Sequence, residues 1–190
     1  MTPGLVIKDG PRIRIRQLRE DDISHWAYDQ AVFSQEFEKP DGPPGGMGKQ
    51  FAVETKQDEW IGFTGFGAEP GGDAGGYFFI AEPFRGQGYG TELVQCVLQV
   101  MFQDCGAARC VIDYHDWNEV AARLYAKIGF EETQRIRIPE DKLTGEDREM
   151  APGREVYAVV ISLTREKWES ATAASPGAQR EGKPNGNCAI

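Results

Sequence analysis

The chain has 190 residues, enough for one domain with a sizeable core. Its 21 basic and 30 acidic residues leave a formal charge of −9, which argues against a broad nucleic-acid footprint and suits cationic partners such as amines. Hydrophobic residues at 40% and charged residues at 27% fit a globular protein with no membrane span, and Met1–Arg16 lacks the apolar core of a secretory signal.

Arg12–Arg16 alternates polar and apolar residues, which predicts a half-buried strand. From Glu20 to Phe37, Ile23, Trp26, Ala27, Ala31 and Phe33 recur at roughly helical spacing and predict one or two short helices. Lys39–Lys49 holds three prolines and four glycines, so it reads as a loop. Phe51–Glu54 and Trp60–Ala68 read as strands, the second carrying Gly62, Gly65 and Gly67 as signs of a bulge or a close backbone neighbour. Gly71-Gly72-Asp73 predicts a hairpin leading into a strand at Gly76–Ile80. Tyr89–Asp104 reads as a helix with Leu93, Val97, Val100 and Met101 in one stripe and Gly106 at its end. A buried strand at Ala108–Tyr114 precedes a helix at Asn118–Ile128, opened by Asn118 and stopped by Gly129. Strands at Phe130–Ile138 and Glu155–Leu163 flank a polar excursion, Pro139–Arg154. After about Ser170 the composition lacks core formers and predicts a disordered tail. Cys96, Cys105, Cys110 and Cys188 form no CxxC pair and lie in or beside apolar segments, so reduced thiols and a cytoplasmic location are expected. Cys188 sits one position too late for a prenylation box.

The order predicts an α+β domain with a strand–helix–strand crossover between parallel strands, and ligands on such sheets bind where strands end and helices begin. Gly86, Gly88 and Gly90 stand at such a place. Bare backbone N–H groups and a helix N-terminus there make an anion site sized for a pyrophosphate. The GxGxG spacing departs from the GxGxxG of a dinucleotide fold, and Gly90-Thr91-Glu92 lacks the lysine of a P-loop. A turn that merely needs glycines remains the plain alternative.

Arg85-Gly86-Gln87-Gly88-Tyr89-Gly90 resembles the Arg/Gln-x-x-Gly-x-Gly/Ala signature of the GCN5-related N-acetyltransferases (GNAT), with Ile80 at the usual apolar position upstream. Asn118–Phe130 resembles that family's Asn-x-x-Ala-x-x-Leu-Tyr-x-x-x-Gly-Phe segment at every fixed position. Arg12–Asp22 and Tyr157–Trp168 look more specifically like the RimJ/RimL-like branch. The resemblance implies a GNAT-like single domain over residues 1–168 with a flexible tail over 169–190. Its fold would be a central mixed, mostly antiparallel, splayed sheet of six to seven strands with about four helices.

The resemblance further implies an acyl-CoA N-acyltransferase that moves the acetyl group of acetyl-CoA directly to an amine of a small molecule or protein N-terminus. A non-catalytic acyl-CoA-binding module is the alternative. Backbone groups of Phe78, Phe79 and Ile80 would take the pantetheine arm, and Gly86, Gln87, Gly88, Tyr89, Gly90 and Thr91 the pyrophosphate, with Arg85 fixing the loop or reaching the phosphates and Asn118 beside them. Tyr125 is implied as the general acid toward sulfur, and it shares a helical face with Asn118 seven residues earlier. Asp113 and His115, two apart on a strand, share a face and are candidate bases; Glu54 and Glu69 are fallbacks. No metal site is expected from two histidines and scattered carboxylates, and no cysteine has an activating partner. Acceptor choice is expected from Trp26, Tyr28, Phe33 and the 39–49 and 139–154 segments, with acidic Glu36, Glu38, Asp41, Glu140, Asp141, Glu146 and Asp147 suiting a cation. Neither nucleic acid nor membrane is expected as a partner, and a homodimer is compatible with the resemblance.

Overall fold

The computed structural model describes residues 5–19, Asp22, His25 and 49–173. The helices expected within Glu20–Phe37 and most of the 39–49 loop, with Trp26, Tyr28, Phe33, Glu36, Glu38 and Asp41, lie outside them.

Eight described strands form one sheet: β1 (Val6–Asp9), β2 (Ile13–Gln17), β3 (Lys49–Thr55), β4 (Trp60–Ala68), β5 (Asp73–Ile80), β6 (Arg109–His115), β7 (Glu131–Arg137) and β8 (Tyr157–Thr164). Their spatial order is β1-β2-β3-β4-β5-β6-β8-β7, antiparallel throughout except for the parallel β5–β6 pair. The extra strand over the expected number is β1, a four-residue edge strand whose Val-Ile-Lys-Asp has no clear alternation to announce it. At the opposite edge β7 is exposed along its whole length and carries Glu131, Glu132, Arg135 and Arg137, charges that discourage pairing with another chain.

Helix α1 (Tyr89–Gln99) packs against β1, β2 and β5. Its stripe of Leu93 and Val97 continues through Val100 and Met101, all at 1% exposure or less. The last turn widens so that the Cys105 N–H reaches Val100 O at 2.9 Å, before Gly106 turns the chain with φ 76°. Helix α2 (Glu119–Ile128) ends as expected at Gly129 (φ 106°), and Phe130 is driven into the core at 7% exposure.

The glycines of β4 mark close approach rather than looseness. A Cβ on Gly62 would lie 2.1 Å from Phe79 O, and one on Gly65 would meet the Tyr77 ring at 2.3 Å.

Three expectations change. The 139–154 excursion contains a 3-10 turn (Glu140–Lys142) and a short helix α3 (Gly145–Met150). Thr144 and Asp147 form a capping box there, a pattern readable in Thr144-x-x-Asp147 had an aspartate been admitted at its last position. Helix α4 (Arg165–Ala173) runs past the expected end of the domain at 168, with Trp168 buried against Phe102 at a ring distance of 5.4 Å. Finally, Cys105 is disulfide-bonded rather than a free thiol, whereas Cys96 and Cys110 are free and buried as expected.

Candidate active site

The parallel partners β5 and β6 are zipped only at Asp73–Arg109 and Ala74–Cys110. Beyond these pairs β5 continues to Ile80 paired on its other side with β4, and β6 continues to His115 paired with β8. The two strands therefore diverge, and their inner edges offer unpaired backbone groups to an extended ligand arm. Phe78, Phe79 and Ile80 lie at the open end. Glu69, one of the fallback bases, follows Ala68, which pairs Ala74 at the closed end, so it stands at the wrong end of the cleft.

Below the open end of β5 the chain makes a 3-10 turn (Glu82–Phe84) and enters the Arg85–Gly90 loop. Gly86 and Gly88 adopt φ 75° and 84°, a region that side chains resist. Gly88 caps α1 without a side-chain oxygen, so the N–H groups of Tyr89, Gly90 and Thr91 are left without an intrahelical partner. A serine or aspartate cap would have taken one of them. Gly90 is where α1 abuts α2, with a Cβ there meeting Leu124 Cδ1 at 3.4 Å.

Arg85 holds the loop to the strand: its Nε donates to Ile80 O at 2.8 Å, and its guanidinium lies 5.7 Å from the Phe79 ring centre. Gln87 Nε2 donates to Pro83 O at 3.0 Å. Two residues that sequence reasoning did not single out complete the cradle. Glu92, buried in the first turn of α1, accepts from the Arg12 N–H at 2.7 Å, Arg12 Nε at 2.8 Å and the Ile13 N–H at 3.2 Å. Arg12 also donates from Nη1 to Gln87 O at 3.0 Å and lies 4.7 Å over the Tyr89 ring. The available signal was Glu92 itself, since an acidic residue on the apolar face of a helix needs a compensating cation when it is buried.

Asn118 Oδ1 accepts from the Ala121 N–H at 3.0 Å, so this residue starts α2. Two turns on, Tyr125 is enclosed by rings of Phe78 (6.3 Å), Tyr114 (5.9 Å) and Phe130 (5.5 Å). It thus bridges the gap between β5 and β6. Burial first, then the charges at Cys110 and Asp113, push its hydroxyl well above the ordinary phenol range, so it keeps its proton near neutrality. Burial likewise pushes Cys96 up to about 11 and Cys110 up to about 12, which leaves neither as a ready nucleophile.

On β6 the residues alternate. Cys110, Ile112 and Tyr114 face the main core with α1 and α2, so Val111, Asp113 and His115 point to the other face. On β5 that second face carries Tyr77 and Phe79, which join Trp60, Phe63, Ala81 and Phe84 in an aromatic cluster. Tyr125 and the pair Asp113/His115 therefore stand on opposite sides of the sheet at the same open cleft. Asp113 is exposed. His115 is tied through Nδ1 to Asp147 Oδ1 at 2.5 Å, and the Trp117 Nε1–H donates to the same oxygen at 2.7 Å. Glu54, the other fallback, is fully buried and spent on arginines: Arg16 Nε at 2.5 Å, Arg14 Nη1 at 3.3 Å and Arg19 Nη1 at 3.8 Å. Among the described residues no group of three or more His, Cys, Asp or Glu side chains is placed to hold a metal ion.

This cleft and cradle coincide with a family match: the model for the acetyltransferase (GNAT) domain covers residues 12–131. The chain belongs to the GNAT family. It is thereby an acyltransferase-type enzyme chain with the α+β GNAT fold, its sheet one strand larger than expected. Solved structures share the fold. The spermidine/spermine N-acetyltransferase SpeG from Vibrio cholerae, in mutant forms, matches with a TM-score of 0.67 at 16% identity, over 84% of this chain and 98% of that one. A SpeG structure in complex with CoA and spermine matches with a TM-score of 0.65 at 18% identity, over 83% and 98%. A GNAT-family acetyltransferase from Bacillus anthracis gives 0.61 at 16%, over 84% and 98%.

Proposed function

We propose that this enzyme moves the acetyl group of acetyl-CoA directly to a primary amine, on a small molecule or a protein N-terminus. The observation that carries this is Tyr125, a half-buried phenol that keeps its proton and stands in the gap between two strands that part just above an uncapped helix N-terminus. The first-turn N–H groups of α1 and the Gly86–Thr91 backbone would take the pyrophosphate. The open edge of β5 at Phe78–Ile80 would pair with the pantetheine amides and polarise the thioester carbonyl. Arg85, bonded to Ile80 O, fixes the loop relative to that edge. Tyr125 would protonate the departing thiolate.

The acceptor would enter from the opposite face, past the aromatic cluster of Trp60, Tyr77 and Phe79 and toward Asp113 and His115. The formal charge of −9 favours a cationic acceptor, and polyamines, the substrates named for the SpeG enzymes, belong in the first panel. The sequence pattern of Arg12–Asp22 keeps the RimJ/RimL-like branch, and with it a protein N-terminus, in the same panel.

The test is thiol release from acetyl-CoA with spermidine, spermine, free amino acids and peptides bearing free N-termini, read together with mass spectrometry of the products. Tyr125→Phe is expected to lower kcat by ~10²–10⁴-fold while acetyl-CoA binding holds. Tight acetyl-CoA binding without an acetylated amine in the panel would point instead to a binding module. Gly88→Glu puts a carboxylate and a strained φ into the cradle and should weaken acetyl-CoA binding by about tenfold or more; unchanged binding would remove the cradle from the coenzyme site.

A further inference from the structure

Two groups compete for the proton that an ammonium must lose before it can attack, Asp113 and His115, and their surroundings differ. Asp113 is exposed, and its side chain forms no hydrogen bond among the described residues. His115 has one nitrogen sealed: its side chain is 30% exposed, but its Nδ1 partner Asp147 is at 0%. Nε2 is the ring nitrogen left without a hydrogen bond among the described residues.

Asp147 is satisfied at every lone pair that the fold offers. Its Oδ1 accepts from His115 and Trp117, and its Oδ2 accepts from the Thr144 N–H and the Thr144 hydroxyl, both at 2.8 Å. Burial by itself would raise the pKa of this carboxyl, but the bonds from Trp117, Thr144 and His115 outweigh it and hold the group below its ordinary value. An ionised carboxylate can only accept, so the proton of the His115–Asp147 bond belongs to Nδ1, and a neutral ring then keeps its lone pair on Nε2.

We propose that Asp147 is a positioning residue that makes His115, and not Asp113, the base of the acetyl transfer. The proposal rests on the acetyl-transfer reading and extends it to the 139–154 excursion, which supplies Asp147 from α3. Nε2 takes one proton from the acceptor ammonium, and the resulting imidazolium is paired with the buried Asp147 carboxylate. The freed lone pair on nitrogen forms the N–C bond at the thioester carbonyl, and the C–S bond breaks as the carbonyl re-forms. The thiolate takes the Tyr125 proton, and the second proton of the attacking nitrogen replaces it on Tyr125. His115 then releases its proton to solvent, so ammonium and acetyl-CoA yield amide, CoA thiol and one free proton.

The chain has only two histidines, so its imidazole nitrogens can be read individually. In ¹⁵N-histidine-labelled full-length protein, with His25→Gln to assign the signals, His115 should show the Nδ1–H tautomer; an Nε2–H tautomer overturns the proposal. With the fastest acceptor of the amine panel, His115→Ala should lose ~10²–10⁴-fold in kcat with acetyl-CoA binding retained, and added imidazole should restore part of it. A His115→Ala enzyme at wild-type rate overturns it, and wild-type protein that acetylates no amine instead sinks the acetyl-transfer reading. Asp147→Asn should cost on the order of 10²-fold in the parent and almost nothing in the His115→Ala background, because the two act as one unit. An equal cost in both backgrounds means that Asp147 only pins its segment. Arg148→Ala checks the same point, since Arg148 secures that segment through Leu143 O at 2.6 Å and Glu140 O at 3.0 Å without touching His115. If Arg148→Ala matches the Asp147→Asn rate loss, loop closure explains both; a loss of no more than a few-fold supports the positioning role. Should Asp147→Asn fail to fold, the tautomer and the imidazole rescue decide.

Discussion

Glu54 and Asp147 are both carboxylates with no solvent exposure, yet they are neutralised in different ways. Glu54, on β3, lies among arginines whose charge never changes, and Asp22 completes the knot by binding Arg16 at 2.6 and 2.9 Å. Asp147 lies among neutral donors, a hydroxyl, an amide and an indole, together with one imidazole. A carboxylate locked to arginine has nothing left to give to chemistry. One locked to an imidazole can stabilise a proton that the imidazole picks up. The difference separates a structural knot in the N-terminal half from a group poised at the cleft.

The comparison is broken most severely at Glu54. Glu54→Gln leaves Arg16, whose side chain is only 4% exposed, with Asp22 as its one remaining buried counter-charge, and should destabilise the fold by about 3 kcal/mol in denaturant titrations. Activity per folded molecule should survive. A comparable stability with lost turnover would reverse the two roles. Asp147→Asn should be milder, about 1–2 kcal/mol, as the capping box and the imidazole bond weaken. Its signature lies in acid: a carboxyl held below its ordinary 3.8 contributes stability above that value and loses it as pH falls through the lowered value. Stability of Asp147→Asn should therefore fall less steeply below about pH 4 than that of the parent.

Smaller again is Arg12→Ala. It releases the Gln87 carbonyl and leaves Glu92 without its cation beside the cradle. Because Arg12 is half exposed, the effect should be only a several-fold weaker acetyl-CoA affinity by calorimetry, about 1 kcal/mol, with kcat little changed. The smallest effect belongs to Arg109→Ala. Its exposed pair with Asp73 sits at the zipped end of β5 and β6, where thermal melts should detect no shift. A clear loss there would mean that the ion pair, rather than the backbone ladder, sets where the strands part.

Much of the cleft was legible along the chain because it is built from local rules. Gly86 and Gly88 announce positive φ before a helix, and Asn118 and Gly129 bracket α2 so that Tyr125 falls two turns from the cap. Other parts depended on partners far away in sequence. Arg16 follows the polar phase of an alternating strand yet is buried, because Glu54 and Asp22 neutralise it across 38 and 6 residues. The 139–154 segment lacks apolar periodicity because its burial is polar, centred on Asp147.

The sequence by itself determined the elements proposed to hold the donor: the glycine loop, the helix that follows it and the tyrosine helix are specified by backbone conformations that only certain residues adopt. Tertiary structure alone decided where β5 and β6 part, which of two neighbouring candidates on β6 is held by a buried carboxylate, and that Glu54 is already spent. These depend on strand register and on pairs 32 to 80 residues apart, set by packing and charge compensation in the folded chain.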